Sequence, residues 1–306
     1  MRRRAGFVAH AIASLAWLGA LGASANAHGD EVPLPGPVID GPVTKLAPGE
    51  PSDIGEPLWE LGMGVAAVRF PDYRGSDQSG THVLPLPFVA YRGRFLRADR
   101  DGARAILFAG RRIVVDLSLS ASVPNKSKDN EARRGMPDLP GTFEIGPNVN
   151  VELWQSGDRA LKLDLRLPVR EAITLQASPR AIGITFSPNL NLDVRGFAGA
   201  WNLGVLAGPL FADRRHHQHF YGVAPEFATA TRPAYEAPGG YAGWRATTAF
   251  SRRLGNAWLG GFVRYDDLHG ASFASSPLVR RESNVTLGFG ISWIFATSSQ
   301  RVRTED

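Results

Sequence analysis

A chain of 306 residues, 43% of them apolar, is long enough for one large domain or two ordinary ones and too apolar to be disordered throughout. Its net charge of +5 falls to +2 without residues 1–27, which carry Arg2, Arg3 and Arg4 and no acid, so the basic balance leaves no electrostatic footprint for nucleic acid. The absence of cysteine excludes disulfides and thiolate chemistry.

In chain order, MRRR, then AGFVAHAIASLAWLGALGASA, then Ala25-Asn26-Ala27 supply the charged, apolar and small-residue parts of a secretory signal, so residues 1–27 are expected to be removed on export. Beyond them no run of about 18 apolar residues occurs, and no membrane-spanning helix is expected. Residues 28–57 are rich in Pro and Gly and show no apolar period, which reads as an extended arm. The arm sets Asp30, Glu31, Asp40, Glu50, Asp53 and Glu56 against Lys45 alone, a net charge of −5.

From Leu58 onward the apolar period is two. In residues 159–170 the odd positions are Leu161, Leu163, Leu165, Leu167 and Val169, while Lys162, Asp164, Arg166 and Arg170 take even ones. Residues 142–154 set Phe143, Ile145, Val149, Val151 and Leu153 against Glu144, Asn148, Asn150 and Glu152. Residues 182–195 set Ile182, Ile184, Phe186, Leu190, Leu192 and Val194 against Thr185, Asn189, Asn191, Asp193 and Arg195. The last such run sets Val285, Leu287, Phe289, Ile291, Trp293 and Phe295 against Asn284, Thr286, Gly288, Gly290 and Ser292.

Twelve segments fit this pattern: roughly 58–70, 81–92, 94–99, 103–109, 111–122, 142–154, 159–170, 181–195, 199–211, 241–254, 256–267 and 283–295. Tight turns alternate with long connections, Asp101-Gly102 being the exception. Long alternating strands with short turns on one rim and long loops on the other predict an all-β fold, a transmembrane antiparallel barrel of the outer-membrane type spanning residues 58–295, with residues 296–306 as a polar tail. A soluble lipocalin-like barrel is the competing architecture, but about a dozen strands would enclose a wide apolar interior with nothing to fill it. Trp59, Tyr91, Trp154, Trp201, Trp244, Trp258 and Trp293 lie near segment ends, as interfacial girdles require. Within 81–92, Pro85 and Pro87 each discard a backbone donor toward the same neighbour, which predicts a local bulge or seam.

The motifs YRGSDQ (73–78), LPLPFVAYRG (84–93), RRGMPDL (133–139), EIGPNVNVELW (144–154), FYGVAPEFA (220–228), YEAPGGY (235–241) and ASSPLV (274–279) resemble, in order and wording, the MipA/OmpV family of outer-membrane proteins over residues 58–295. The resemblance implies an outer-membrane barrel without enzymatic activity or cofactor, and a scaffold role between a periplasmic lytic transglycosylase and a murein synthase. It carries over no catalytic residues. One departure is that eleven residues follow Phe295, where such barrels usually end on an aromatic.

Candidate functional residues are few. The charges expected to face the lumen are Arg112, Asp116, Glu144, Glu152, Lys162, Asp164, Arg166, Asp193 and Arg195, whose mixed signs suit cross-strand pairing and a plugged or narrow interior better than an open pore. A narrow porin for small solutes is the alternative. His216, His217 and His219 beside Asp213 are metal-ligand types, but without a second ligand cluster they read as a solvated polar loop. Gly62-Met63-Gly64 precedes no helix and is no dinucleotide fingerprint. His82 with Ser76 and Ser79 has no spacing that fixes a hydrolase geometry.

Overall fold

The computed structural model describes residues 55–93, 95–99 and 102–302. The expected signal, and the expected arm up to residue 54, lie outside the described residues. Among the described residues the strands are β1 (Glu56–Pro57), β2 (Trp59–Pro71), β3 (Ser79–Arg92), β4 (Leu96–Asp99), β5 (Gly102–Ala109), β6 (Ile113–Ser122), β7 (Thr142–Gln155), β8 (Leu161–Thr174), β9 (Ala181–Phe186), β10 (Asn189–Phe197), β11 (Trp201–Ala212), β12 (Gly240–Leu254), β13 (Ala257–Asp267), β14 (Ser283–Thr297) and β15 (Arg301–Val302), with one α-helix, α1 (Arg214–Tyr221).

Strands β2 to β14 form one antiparallel sheet in which each pairs with the next, except that β9 and β10 do not pair with each other, and β14 returns to pair with β2. Strands β9 and β10 both lie between β8 and β11, as two halves of one wall position. The wall is therefore a closed barrel of twelve strands. The segment expected at 181–195 is interrupted at Ser187-Pro188 because proline cannot donate to the ladder. A second irregularity, the register shift between Ala172 and Ile173 opposite Gly183, turns Ile182 to a buried position although its parity predicted the outer face.

Side-chain alternation decides which face is outside. On β14, Val285, Leu287, Phe289, Ile291, Trp293 and Phe295 are 44–64% exposed, while Asn284, Thr286 and Ser292 are buried. The same outward apolar face continues through Leu61, Met63 and Val65 on β2 and Val83 and Val89 on β3. A contiguous apolar band of this kind is far larger than a soluble surface tolerates, and lipid is the solvent that fits it. The lipocalin alternative, apolar inside, is excluded by this polarity.

The interior is two-sided. Strands β6, β7, β8 and β10 present Asp116, Asn148, Asp164, Asn191 and Asp193 inward, all buried. Strands β2, β3, β13 and β14 present Val68, Leu84, Leu86, Phe88, Trp258 and Phe262 against glycines, with Phe262 seated over Gly288 and Leu86 over Gly290. Trp258, expected in a girdle, belongs to this packing: its register opposite Arg253 and the buried Ser292 points it inward, with its ring 6.0 Å from Phe88. The outward Trp154, Trp244 and Trp293 keep 39–60% exposure.

At the short-turn rim the first and last described segments are clasped together. Strand β1 pairs with β15 in the segment expected to be a free tail, and β14 runs on to Thr297. Glu60, fully buried, accepts from Arg92 Nη2 at 2.9 Å and Arg253 Nη1 at 2.6 Å. Arg92 also reaches Glu56 at 2.6 Å and the Pro57 carbonyl at 2.9 Å.

The two prolines of β3 find their explanation on the far side of the strand. The β2–β3 ladder runs without a register shift from Trp59↔Tyr91 to Pro71↔Ser79, so Pro85 and Pro87 cause no bulge there. On its other edge β3 pairs with β4 only at Tyr91 and Arg92. The missing donors fall on an edge without a partner strand, which is the position proline tolerates. Strands β4 and β5, which flank the short connection that broke the alternation of loop lengths, belong to the same feature, since both stop short of the long-loop rim.

Substitution on the two faces should separate cleanly. Leu165 pairs with Val151 and Leu190 on the outer face near mid-height, and Leu165→Arg should cost about 2–4 kcal/mol in folding titrations into lipid vesicles. Asp164→Asn, on the inner face, should cost less; the reverse order would invert the assignment of faces.

Candidate functional site at the loop-covered mouth

The long connections at one rim, residues 72–78, 123–141, 213–239 and 268–282, fold onto one another around a small core of their own, comprising Tyr73, Leu139, Tyr221, Val223, Phe273 and Leu278 with their neighbours. Tyr221 and Phe273 stack with centroids 3.7 Å apart. Tyr73 Oη donates to the Leu278 carbonyl at 2.8 Å, Tyr221 Oη to the Arg74 carbonyl at 3.0 Å, and Ser276 Oγ to the Tyr221 carbonyl at 2.7 Å. Two nearly buried arginines tie loops through carbonyls: Arg133 donates to Phe220 and Pro137, and Arg232 to Ala132, Arg134 and Phe227. Together these contacts form a lid over the barrel.

Helix α1 anchors the lid to the wall. Asp213 caps it by accepting from the His216 amide at 2.8 Å, so the carboxylate beside the histidines is committed to the helix start. The cap rests on Gly183, whose φ is +130° and where a Cβ would overlap the Asp213 carboxylate and the His216 amide. His217 is buried, with Nδ1 2.7 Å from the Pro238 carbonyl and its ring 4.6 Å from Phe273. Burial first, then the neighbouring histidines, pushes His216 down to about 3; burial, then Arg133 and Arg180, pushes His219 down to about 4. Burial likewise raises the Tyr221 phenol to about 12. The histidine cluster is thus neutral packing material at physiological pH.

Under the lid lies a cavity of about 260 Å³ lined both by apolar side chains, among them Phe70, Val123, Leu210 and Phe220, and by charges. Four guanidinium groups, of Arg74, Arg170, Arg245 and Arg264, face it with the three carboxylates of Asp72, Glu144 and Asp266. Asp266, 2% exposed, accepts from Arg74 Nε at 2.8 Å and Arg245 Nε at 2.9 Å. A smaller cavity of about 50 Å³ lies within the lumen among Asp116, Asn148, Asn150 and Arg166.

The expected lumen charges divide between these levels. Glu144 lines the upper cavity, accepting from Thr185 Oγ1 at 3.4 Å. Asp116, bonded to Asn148 and Asn150, shares the lower cavity with Arg166. Glu152, Lys162 and Asp164 meet lower still, Lys162 Nζ lying 3.8 Å from Glu152 and 3.2 Å from Asp164, with Asp193 opposite Lys162 in register. Arg195 lies half-buried near the end of β10. Arg112 differs from expectation: it is exposed in the turn before β6, because that strand begins at Ile113 rather than at residue 111. Missed were Arg245, Arg264 and Asp266, which share inward parity on β12 and β13, and Arg74, whose position depends on loop packing that has no period.

A closed wall with an apolar outer face, a polar and packed interior and a loop lid defines an outer-membrane β-barrel. The family model for MltA-interacting protein MipA matches residues 63–295, and the chain belongs to that family. Among solved structures it is similar to a bacterial polysaccharide outer membrane secretin (8% identity, covering 78% of this chain and 99% of that one, TM-score 0.38). It is also similar to outer membrane phospholipase A from Escherichia coli (10% identity, 80% and 93%, TM-score 0.35) and to that of Salmonella typhi (9% identity, 80% and 94%, TM-score 0.31). No curated protein matches the chain.

Two outcomes follow from the lid. Gly183→Val should dislodge α1 and expose Arg214 and Arg215 to trypsin while the barrel keeps its heat-modifiable migration; unchanged protection would show that the helix is held otherwise. His216 and His219 sit below the ordinary value of 6.5, so an opened loop takes up protons that the closed lid refuses. Their contribution to lid stability is complete above about pH 6.5 and declines as pH falls toward 4 and then 3. Hydrogen exchange in residues 213–221, corrected for intrinsic rates, should accelerate between pH 7 and pH 5, and His219→Gln should reduce the acceleration.

Proposed function

We infer that this barrel is non-enzymatic and acts as an outer-membrane scaffold for periplasmic murein-synthesising and murein-cleaving enzymes. The observation that carries the choice over conduction is the filled interior: the Leu86, Phe88, Trp258 and Phe262 packing occupies one side, the Asp116–Asn148–Asn150 network the other, and the lid covers the mouth. The family's own name, MltA-interacting protein, supports a binding role.

With the first and last described segments at the short-turn rim, that rim and the acidic arm face the periplasm after residues 1–27 are removed as a signal. The clasp of Arg92 on Glu56 and Glu60 sets where the arm leaves the barrel. An acidic arm suits a basic surface on a murein enzyme, an attraction that salt weakens over ~8 Å.

In planar bilayers the purified chain should give no unitary conductance steps, and steady steps would favour the narrow porin instead. Tagged barrel should retain a lytic transglycosylase and a murein synthase from envelope extracts. Deletion of residues 30–54, which spares the Glu56 clasp, should leave a folded barrel that has lost them. Retention at full strength would move the contact to the short turns.

A further inference from the structure

The closed wall contains a framed opening. On one side, residues 79–90 of β3 pair with no strand other than β2 among the described residues. On the other, β6 pairs with β5 only as far as Leu117, so that among the described residues the outer edge of Ser118 to Ser122 has no partner strand, over a height of ~16 Å at ~3.3 Å per residue. The short β4–β5 hairpin closes the opening below. Above, Asn130, fully buried, donates through Nδ2 to Asp72 Oδ2 at 2.7 Å and to Ser76 Oγ at 3.0 Å, and Gln78 Nε2 donates to the Asp129 carbonyl at 3.4 Å. The loops therefore bridge the top of the gap, and what remains faces sideways, toward the membrane.

The opening leads to the cavity under the lid. Ser120, Ala121, Ser122 and Val123 line that cavity from the β6 side, and Phe70, whose ring stacks on His82 of β3 at 4.7 Å, lines it from the other. The inner face of β3 beside the gap is apolar, with Leu84, Leu86 and Phe88, where the opposite wall is acidic and amide-rich. An added β-strand is a poor occupant, since Pro85 and Pro87 present no donors to pair with it. An apolar chain asks for no backbone donors. The lining of four guanidinium groups against three carboxylates leaves one positive charge for a head group.

We propose that the gap between β3 and β6 is a lateral passage through which a single-chain amphiphile with an anionic head group enters from the outer leaflet, its acyl chain lying across Leu84 and Ser120 and its head group beneath the lid near Arg74 and Arg264. This ligand site does not depend on the scaffold reading. A cavity of about 260 Å³ takes one chain or one small head group and not a whole phospholipid.

The test uses the full chain in phosphatidylcholine vesicles containing a fatty acid with a diazirine at mid-chain. After irradiation, peptide mapping should find adducts on the inward Leu84, Phe70 or Ser120 as well as on the lipid-facing Val83, Val89 and Phe289. Ser120→Trp, or the milder Ser120→Leu if tryptophan prevents folding, should cut the inward adducts severalfold and leave those on Phe289 unchanged. An excess of unlabelled fatty acid should compete for the inward adducts alone. Adducts confined to outward residues, or inward adducts insensitive to both Ser120 variants, would overturn the proposal.

Discussion

Every backbone N–H and C=O in the hydrocarbon layer must find a partner within the protein, because lipid offers none. That constraint requires the wall to close, and closure here depends on β14 pairing with β2. The period-two pattern follows from it, since a closed sheet has one face for lipid and one for the interior. So does the division of side chains inside, where Gly288 and Gly290 on β14 leave room for Phe262 and Leu86, and Gly260 on β13 for Trp258. Among the described residues the constraint is relaxed at the β3–β6 gap, and two of the donors that would have been stranded there are deleted by proline.

The wall was legible in the sequence because alternation is a local property: Leu161 to Val169 and Val285 to Phe295 announce their outer face without reference to any partner. Positions set by non-local geometry were not. Trp258 stands near a strand end, as a girdle residue would, and only its register opposite Ser292 shows that it points inward. Ile182 has outward parity, but a bulge beside Gly183 reverses it. The exceptionally short connection between β4 and β5 and the prolines of β3 looked unrelated, yet both mark the same short hairpin.

The lid was the least legible part. Its core joins Tyr73, Leu139, Tyr221 and Leu278 from four separate loops, and no periodicity records such a meeting. Arg133 and Arg232, which no sequence pattern singles out, satisfy loop carbonyls that have no ladder to join. The histidines read as a solvated polar loop, whereas Asp213 is used by the helix start and burial keeps the imidazoles neutral.

The pairing of β1 with β15 carries a consequence for how the chain can be cut and rejoined. With Glu56 opposite Val302, the first and last described segments lie side by side, bound by the same ladder that would join them if they were one hairpin. The ring is therefore nearly indifferent to where its sequence starts. A peptide bond broken at a tight turn on that rim, such as Gly255 between β12 and β13, and a short loop joining the old ends, would leave the same cyclic order of strands. What such a permutant would lose is direction: the strand that arrives last would no longer be the one that bears Phe295, and the order in which the wall is zipped shut would change with no change in its final form.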